Sequence, residues 1–146
     1  IYSIPSDVEI VTYGGKDALK NTSILQFMIN KFSRVFITFD LDAIQEVSRA
    51  LDRIGLKIDS DYCGVGVNKP GYDCIEGLLP ASIKQKVFSA HVETVTSLGS
   101  QDTGIRKSAK ARIKSYFLEE FKKEEFDLKE LSDFKTLFNK IGKAFK

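Results

Sequence analysis

The run from Arg34 to Asp40, Arg-Val-Phe-Ile-Thr-Phe-Asp, limits what this chain can fold into more than any other stretch. Its near-continuous β-branched and aromatic residues suit a strand buried on both faces, the situation of an inner strand in a parallel sheet. The run ends abruptly in Asp40-Leu41-Asp42, and an amphipathic segment follows from Ala43 to Ile54. There Ile44, Val47, Leu51 and Ile54 fall on one helical face, Gln45, Glu46, Arg49 and Asp52 fall elsewhere, and Gly55 supplies the stop. A strand running straight into a helix that covers it is the repeating unit of an α/β protein.

The flanking segments extend the alternation. Val8 to Tyr13 reads as a strand ending in the Gly14-Gly15 turn, and Leu25, Met28, Ile29 and Phe32 then recur at helical spacing. Asp61 to Val67 reads as a short third strand despite its two glycines, and Lys69-Pro70-Gly71 as a loop. Cys74 to Leu79 and Ala81 to Phe88 read as helical pieces split by Pro80, and Leu98 to Gly104 as a linker. Two amphipathic helices, Ile105 to Phe121 and Leu128 to Phe145, close the chain. The expected architecture is a mainly parallel sheet flanked by helices over residues 1–100, with a C-terminal helical extension over 101–146. Because the chain starts at Ile1 rather than Met and becomes strand-like within a few residues, it reads as a cut from something longer.

Composition removes several function classes. A formal net charge of +2 is too small for bulk charge to attract a polyanion, so a nucleic-acid partner has to be argued from where the charges sit. No apolar run approaches the roughly 18 residues of a membrane span, so a soluble, cytoplasmic protein with no membrane partner is expected. Cys63, Cys74 and the single His91 have no zinc-ligand spacing, and the thiols read as strand-associated packing groups.

The chemistry is expected at Asp40 and Asp42. In an open parallel sheet ligands bind beyond the carboxyl ends of the strands, which is where this pair stands. Two carboxylates leaving one strand end repel each other unless a cation sits between them, and hard ions such as Mg²⁺ or Mn²⁺ suit oxygen donors. The plainer reading of Asp42 is the N-cap of the helix beginning at Ala43. Asp73 and Glu76 lie in Asp-Cys-Ile-Glu-Gly-Leu-Leu-Pro after the third strand, and read either as further metal ligands or as carboxylates favoured at a helix N-terminus. Gly14-Gly15-Lys16 lacks the spacing of a P-loop and reads as a strand-to-helix turn whose amides and Lys16 are able to meet a phosphate. Arg106, Lys107, Lys110, Arg112 and Lys114 concentrate positive charge in the first half of one helix, either as a DNA-facing stretch or as a solvated face. Glu119, Glu120, Glu124 and Glu125 dilute the charge of Lys122 and Lys123 beyond it.

A strand ending in Gly-Gly-Lys, a strand ending in Asp-x-Asp, and an acidic Asp-x-x-Glu-x-Leu-Leu-Pro stretch together resemble the Toprim catalytic domain of the OLD (overcoming lysogenization defect) family of nucleases, over residues 8–80. The resemblance implies a metal-dependent DNA endonuclease or nickase that hydrolyses phosphodiesters with two divalent ions, Mg²⁺ or Mn²⁺. Asp40 and Asp42 would be metal ligands, Asp73 and Glu76 would serve the second ion, and Lys107 or Lys110 would steady the developing phosphate charge. It also implies an ABC-type ATPase domain ahead of the Toprim domain. The family pattern begins with a strand ending in Glu, for which Glu9, inside its strand, is no substitute. That glutamate is expected upstream of Ile1, or else the domain is degenerate; either way the chain alone is expected to be a weak or inactive catalyst.

Two other readings stay open. Haloacid-dehalogenase-like phosphatases also end a buried strand in Asp-x-Asp, but normally continue with Gly-Thr or Gly-Val where this chain has Ala43-Ile44. A non-catalytic interaction module would use the stripe Phe134, Phe138, Ile141 and Phe145 to dock another domain or a second copy, forming a homodimer.

Overall fold

The computed structural model describes residues 7–69 and 72–145. Pro70 and Gly71 of the expected loop lie outside the described residues. In order, the elements are α1 (Thr22–Lys31), β1 (Ile37–Asp40), α2 (Ile44–Arg53), β2 (Tyr62–Val65), α3 (Ala81–Ala90), α4 (Val92–Ser97), α5 (Thr103–Lys123) and α6 (Ser132–Ala144). Short 3-10 turns occupy Ala18–Lys20, Leu41–Ala43 and Ile75–Leu78. The protein is thus of mixed helix and strand, with a small parallel sheet among helices.

The chain forms two compact units. One runs to Gly77 and resumes from Phe134; the other spans Leu78–Asp133. The two final helices, read from the sequence as one extension over 101–146, therefore fall in different units.

In the first unit β1 and β2 pair in parallel, with Ile37 opposite Tyr62 and Asp40 opposite Val65. Expected burial on both faces of Arg34 to Asp40 is corrected to burial on one: Ile37 and Phe39 are buried, Thr38 is half-buried, and Asp40 is exposed. The ladder takes in only the last four residues of that run. The core joins Leu25, Val47 and Leu51, which the helical periodicities place inward, with Leu19, Ile37, Phe39 and Tyr62. Helix α2 ends as Gly55 requires: at φ +85° it lets its own N–H reach Asp52 O at 3.0 Å and the Leu56 N–H reach Leu51 O at 3.1 Å.

Val8 to Tyr13 is not a strand. Among the described residues it joins no ladder, and Ile10 and Val11 are 73% and 50% exposed. β-branched composition describes fitness for a pleated, half-buried surface rather than a backbone preference, and here no such surface receives the segment. The expected α1 stripe is also only partly buried: Leu25 is inside, but Phe32 is 42% exposed.

The second unit is helical. Ile83 and Val87 of α3 pack with Ile113 and Phe117 of α5, supported by Val95, Leu98 and Tyr116. The Phe88 ring meets Phe117 edge-on at 5.6 Å, and His91 stacks on Tyr116 at 3.7 Å. Asp102 caps α5, its carboxylate accepting the Gly104 and Ile105 N–H groups at 2.7 and 3.0 Å. Among the described residues, no helix is long and apolar enough to cross a membrane.

Candidate functional site

Asp40 closes β1, and the chain turns at once through Leu41–Ala43 into α2. Two glycines of β2 and its exit make room for that turn. A Cβ on Gly64 would lie 2.7 Å from the side-chain end Leu41 Cδ1 and 3.2 Å from Leu41 Cα, so glycine there eases the close approach of Leu41 to β2. Gly66, at φ +136°, would place a Cβ 2.6 Å from the Asp73 carbonyl carbon. The returning segment can therefore approach, and the Asp73 carbonyl accepts the Asp42 N–H at 3.2 Å. The two glycines that weaken the strand reading of Asp61 to Val67 are those that assemble the end of the sheet.

A cavity of about 380 Å³ opens at this carboxyl end, and Tyr13, Gly15, Lys16, Asp40, Asp42 and Val65 line it. No side-chain capping hydrogen bond is made at the start of α2 or of the turn before it, and the N-cap of α2 is Ala43. The capping role is thus not how Asp42 is used; its place is at the cavity. Tyr13 donates its hydroxyl to Thr38 O at 2.9 Å. Burial, and then the Asp40 charge, hold that phenol above its ordinary range, so it keeps its proton and remains a hydrogen-bond donor.

Lys16 stands at the cavity with its Nζ 3.3 Å from Glu46 Oε1, and Lys20 reaches Glu46 Oε2 at 3.0 Å and Asp17 at 3.0 Å. The bond from Lys20, then the one from Lys16, holds the Glu46 carboxyl below its usual range. Gly14 and Gly15, at φ +89° and +98°, form the turn that carries Lys16 there.

The remaining acidic candidates are placed differently. Asp73 meets Asp42 through its backbone, while Glu76 bonds the Cys74 thiol, whose pKa burial and that carboxylate push up to about 11. Among the described residues, no group of three or more His, Cys, Asp or Glu side chains is disposed to hold a metal ion. The donor set at the cavity is the Asp40 and Asp42 pair. Two carboxylate donors at a water-accessible strand end suit a hard ion such as Mg²⁺, which commonly keeps several waters and takes one or two protein carboxylates.

Arg106, Lys107, Lys110, Arg112 and Lys114 are all exposed on α5, in the second unit. The buried line of α5 is Ala109, Ile113 and Phe117. Lys107, Lys110 and Lys114, spaced three and four apart, share a stripe away from it. Arg106 leans toward Thr103, its guanidinium 3.4 Å from the hydroxyl.

Sequence reasoning missed Tyr13 and Glu46. The position of Tyr13 directly before Gly14-Gly15 was a usable signal, since the turn brings it back beside the strand it precedes. Glu46 had none, because its cations lie 26 and 30 residues away in the chain.

No family model, no curated protein and no solved structure matches the chain.

Proposed function

We propose that the first unit is the metal-dependent phosphodiester-cleaving part of an OLD-family, Toprim-like nuclease, with DNA as substrate. One observation supports this reading above the others: Asp40 and Asp42 line a single cavity, beside Lys16, at the carboxyl end of a parallel pair. That is where α/β sheets bind ligands, and hard oxygen donors beside a cation are what a metal-bound phosphate requires. Asp40 and Asp42 would hold a divalent ion, Mg²⁺ or Mn²⁺, and the chemistry such an ion would supply is Lewis-acid stabilisation of phosphate charge and a more acidic water. Lys16 neutralises a phosphate oxygen at the cavity mouth. The resemblance also offers Asp73 and Glu76 for a second ion, although neither lines the cavity that Asp40 and Asp42 share. The exposed basic residues of α5 bind DNA phosphates without reading sequence. An upstream ATPase domain and a homodimer belong to the same reading.

Nicking of supercoiled plasmid in Mn²⁺ tests it. The protein is expected to convert plasmid to the open circle slowly and only with the metal, and Asp40→Asn to abolish conversion. Metal-dependent nicking that Asp40→Asn leaves unchanged would remove the pair from the active site.

A further inference from the structure

Resting on that reading of the cavity, a further residue is assigned from how the Gly14–Lys16 turn is held. Ile37 donates its N–H to Asp61 O at 2.9 Å, so in a parallel ladder Ile37 and Phe39 direct their backbone groups to β2. Thr38 lies between them and directs its own backbone carbonyl to the opposite, outer edge of β1. Among the described residues no strand runs along that edge. The Thr38 carbonyl is met instead by the Tyr13 hydroxyl, at 2.9 Å. Tyr13 is thus bonded to the strand two residues before Asp40 and, in sequence, immediately precedes the two glycines at positive φ that lead to Lys16. A turn of two glycines is the least self-restrained segment a chain can make, so its position depends on what fastens its ends. One end is fastened by Tyr13 to β1; the other by Lys16 to Glu46 on α2, at 3.3 Å. Both fastenings border the cavity that Asp40 and Asp42 line.

We propose that Tyr13 is a positioning residue: by donating to Thr38 O it fastens the Gly14–Lys16 turn against the outer edge of β1, so that the turn's amides and Lys16 receive a phosphate group beside the acid pair. The phenol acts through Lys16 and the turn and takes no part in proton transfer. Glu46 restrains the same lysine from the other side and yields part of its bond when an anion arrives.

Inorganic phosphate is the probe, followed by amide chemical shifts of Gly14, Gly15 and Lys16 in the wild-type chain, in Tyr13→Phe, in Lys16→Ala and in the double variant. The ring of Phe keeps the packing of Tyr13, so the comparison isolates one hydrogen bond. Wild type is expected to bind phosphate at this turn, and Tyr13→Phe to bind it about fivefold more weakly, the equivalent of one net hydrogen bond. In the double variant the two penalties are expected to fall short of multiplying, because the hydroxyl acts in part through the lysine and in part through the turn's amides. Mn²⁺ broadening of the Asp40 and Asp42 amides, run in parallel, is expected to be the same in wild type and Tyr13→Phe, which a general loss of structure would not leave intact. No phosphate response at the turn in the wild type, an unchanged affinity in Tyr13→Phe, or penalties that multiply in the double variant would each overturn the assignment. Absence of Mn²⁺ broadening in the wild type would instead count against the metal reading while leaving the phosphate result to be judged by itself.

Discussion

The two units bury comparable side chains by different means. In the second, α3, α4 and α5 follow one another in the chain, and the inward residues Ile83, Val87, Ile113 and Phe117 sit where helical spacing puts them. In the first, the core depends on two strands separated by a helix and on glycines that let unrelated segments touch, as Gly64 does for Leu41 and Gly66 for Asp73. Helix ladders satisfy their own backbone, so the second unit needs little beyond an apolar stripe. A strand leaves an edge and an end, and in the first unit polar chemistry gathers at both: Tyr13 at the edge, Asp40 and Asp42 at the end. The cavity is a consequence of building with strands.

The largest expected effects test whether these are two cores. Ile83→Ala and Leu51→Ala each remove a side chain of 0% exposure and should cost about 2–5 kcal/mol in denaturant unfolding. In hydrogen exchange, the first should loosen α3 and α5 ahead of β1 and β2, and the second the reverse. Equal loosening of every element by both variants would erase the distinction.

Gly66→Ala comes next. At φ +136°, with Asp73 backbone where the new Cβ would stand, it should cost about 1–3 kcal/mol from the backbone conformation alone. It should also disturb the Asp42 amide, whose partner is the Asp73 carbonyl. The corresponding test in the second unit is Gly99→Ala, where the nearest atom to the new Cβ, at 3.5 Å, is at ordinary van der Waals distance; it should change little.

Such particulars mark how far the sequence could be read. Helices α2 and α5 were legible because their apolar periodicity is long, and the stop of α2 because Gly55 does one recognisable thing. The D-x-D pair was legible as a strand-end feature for the same reason. The failure at Val8 to Tyr13 has a physical cause: propensity states what a segment tolerates, whereas a strand exists only if another backbone receives it. The half-exposed α1 face has the same cause, since a stripe reports what is apolar and not what arrives to cover it. Tyr13 and Glu46 entered the site through contacts between distant parts of the chain, which periodicity cannot register.

A smaller effect separates the units by pH. Tyr62 donates its hydroxyl to Asp52 at 2.7 Å, and burial, then that carboxylate, push its pKa from 10.0 up to about 12. The folded state therefore holds this proton more tightly than the unfolded state. Its contribution is complete below pH 10 and is lost as pH rises through about 12. The first unit's stability should fall over that window, and Tyr62→Phe should flatten part of the fall. A profile identical in wild type and variant would show that the bond does not persist in solution.

The least effect on folding and a clear one on binding is expected in the second unit. Replacing Lys107, Lys110 and Lys114 by Ala leaves the buried face of α5 intact, so helicity should hold. Affinity for DNA should fall, and the slope of log K against log salt should flatten by about 0.9 for each phosphate no longer neutralised. An unchanged slope would make the stripe a solvated helix face.

The central claim, that Asp40 and Asp42 form a divalent cation site at the end of β1, is tested most directly by calorimetric titration of Mn²⁺ into the wild-type chain and Asp40→Asn. Saturable binding in the wild type that is lost in Asp40→Asn, with both proteins equally folded, is the predicted result. Wild-type protein that binds no Mn²⁺, or binds it as tightly after the substitution, would contradict it.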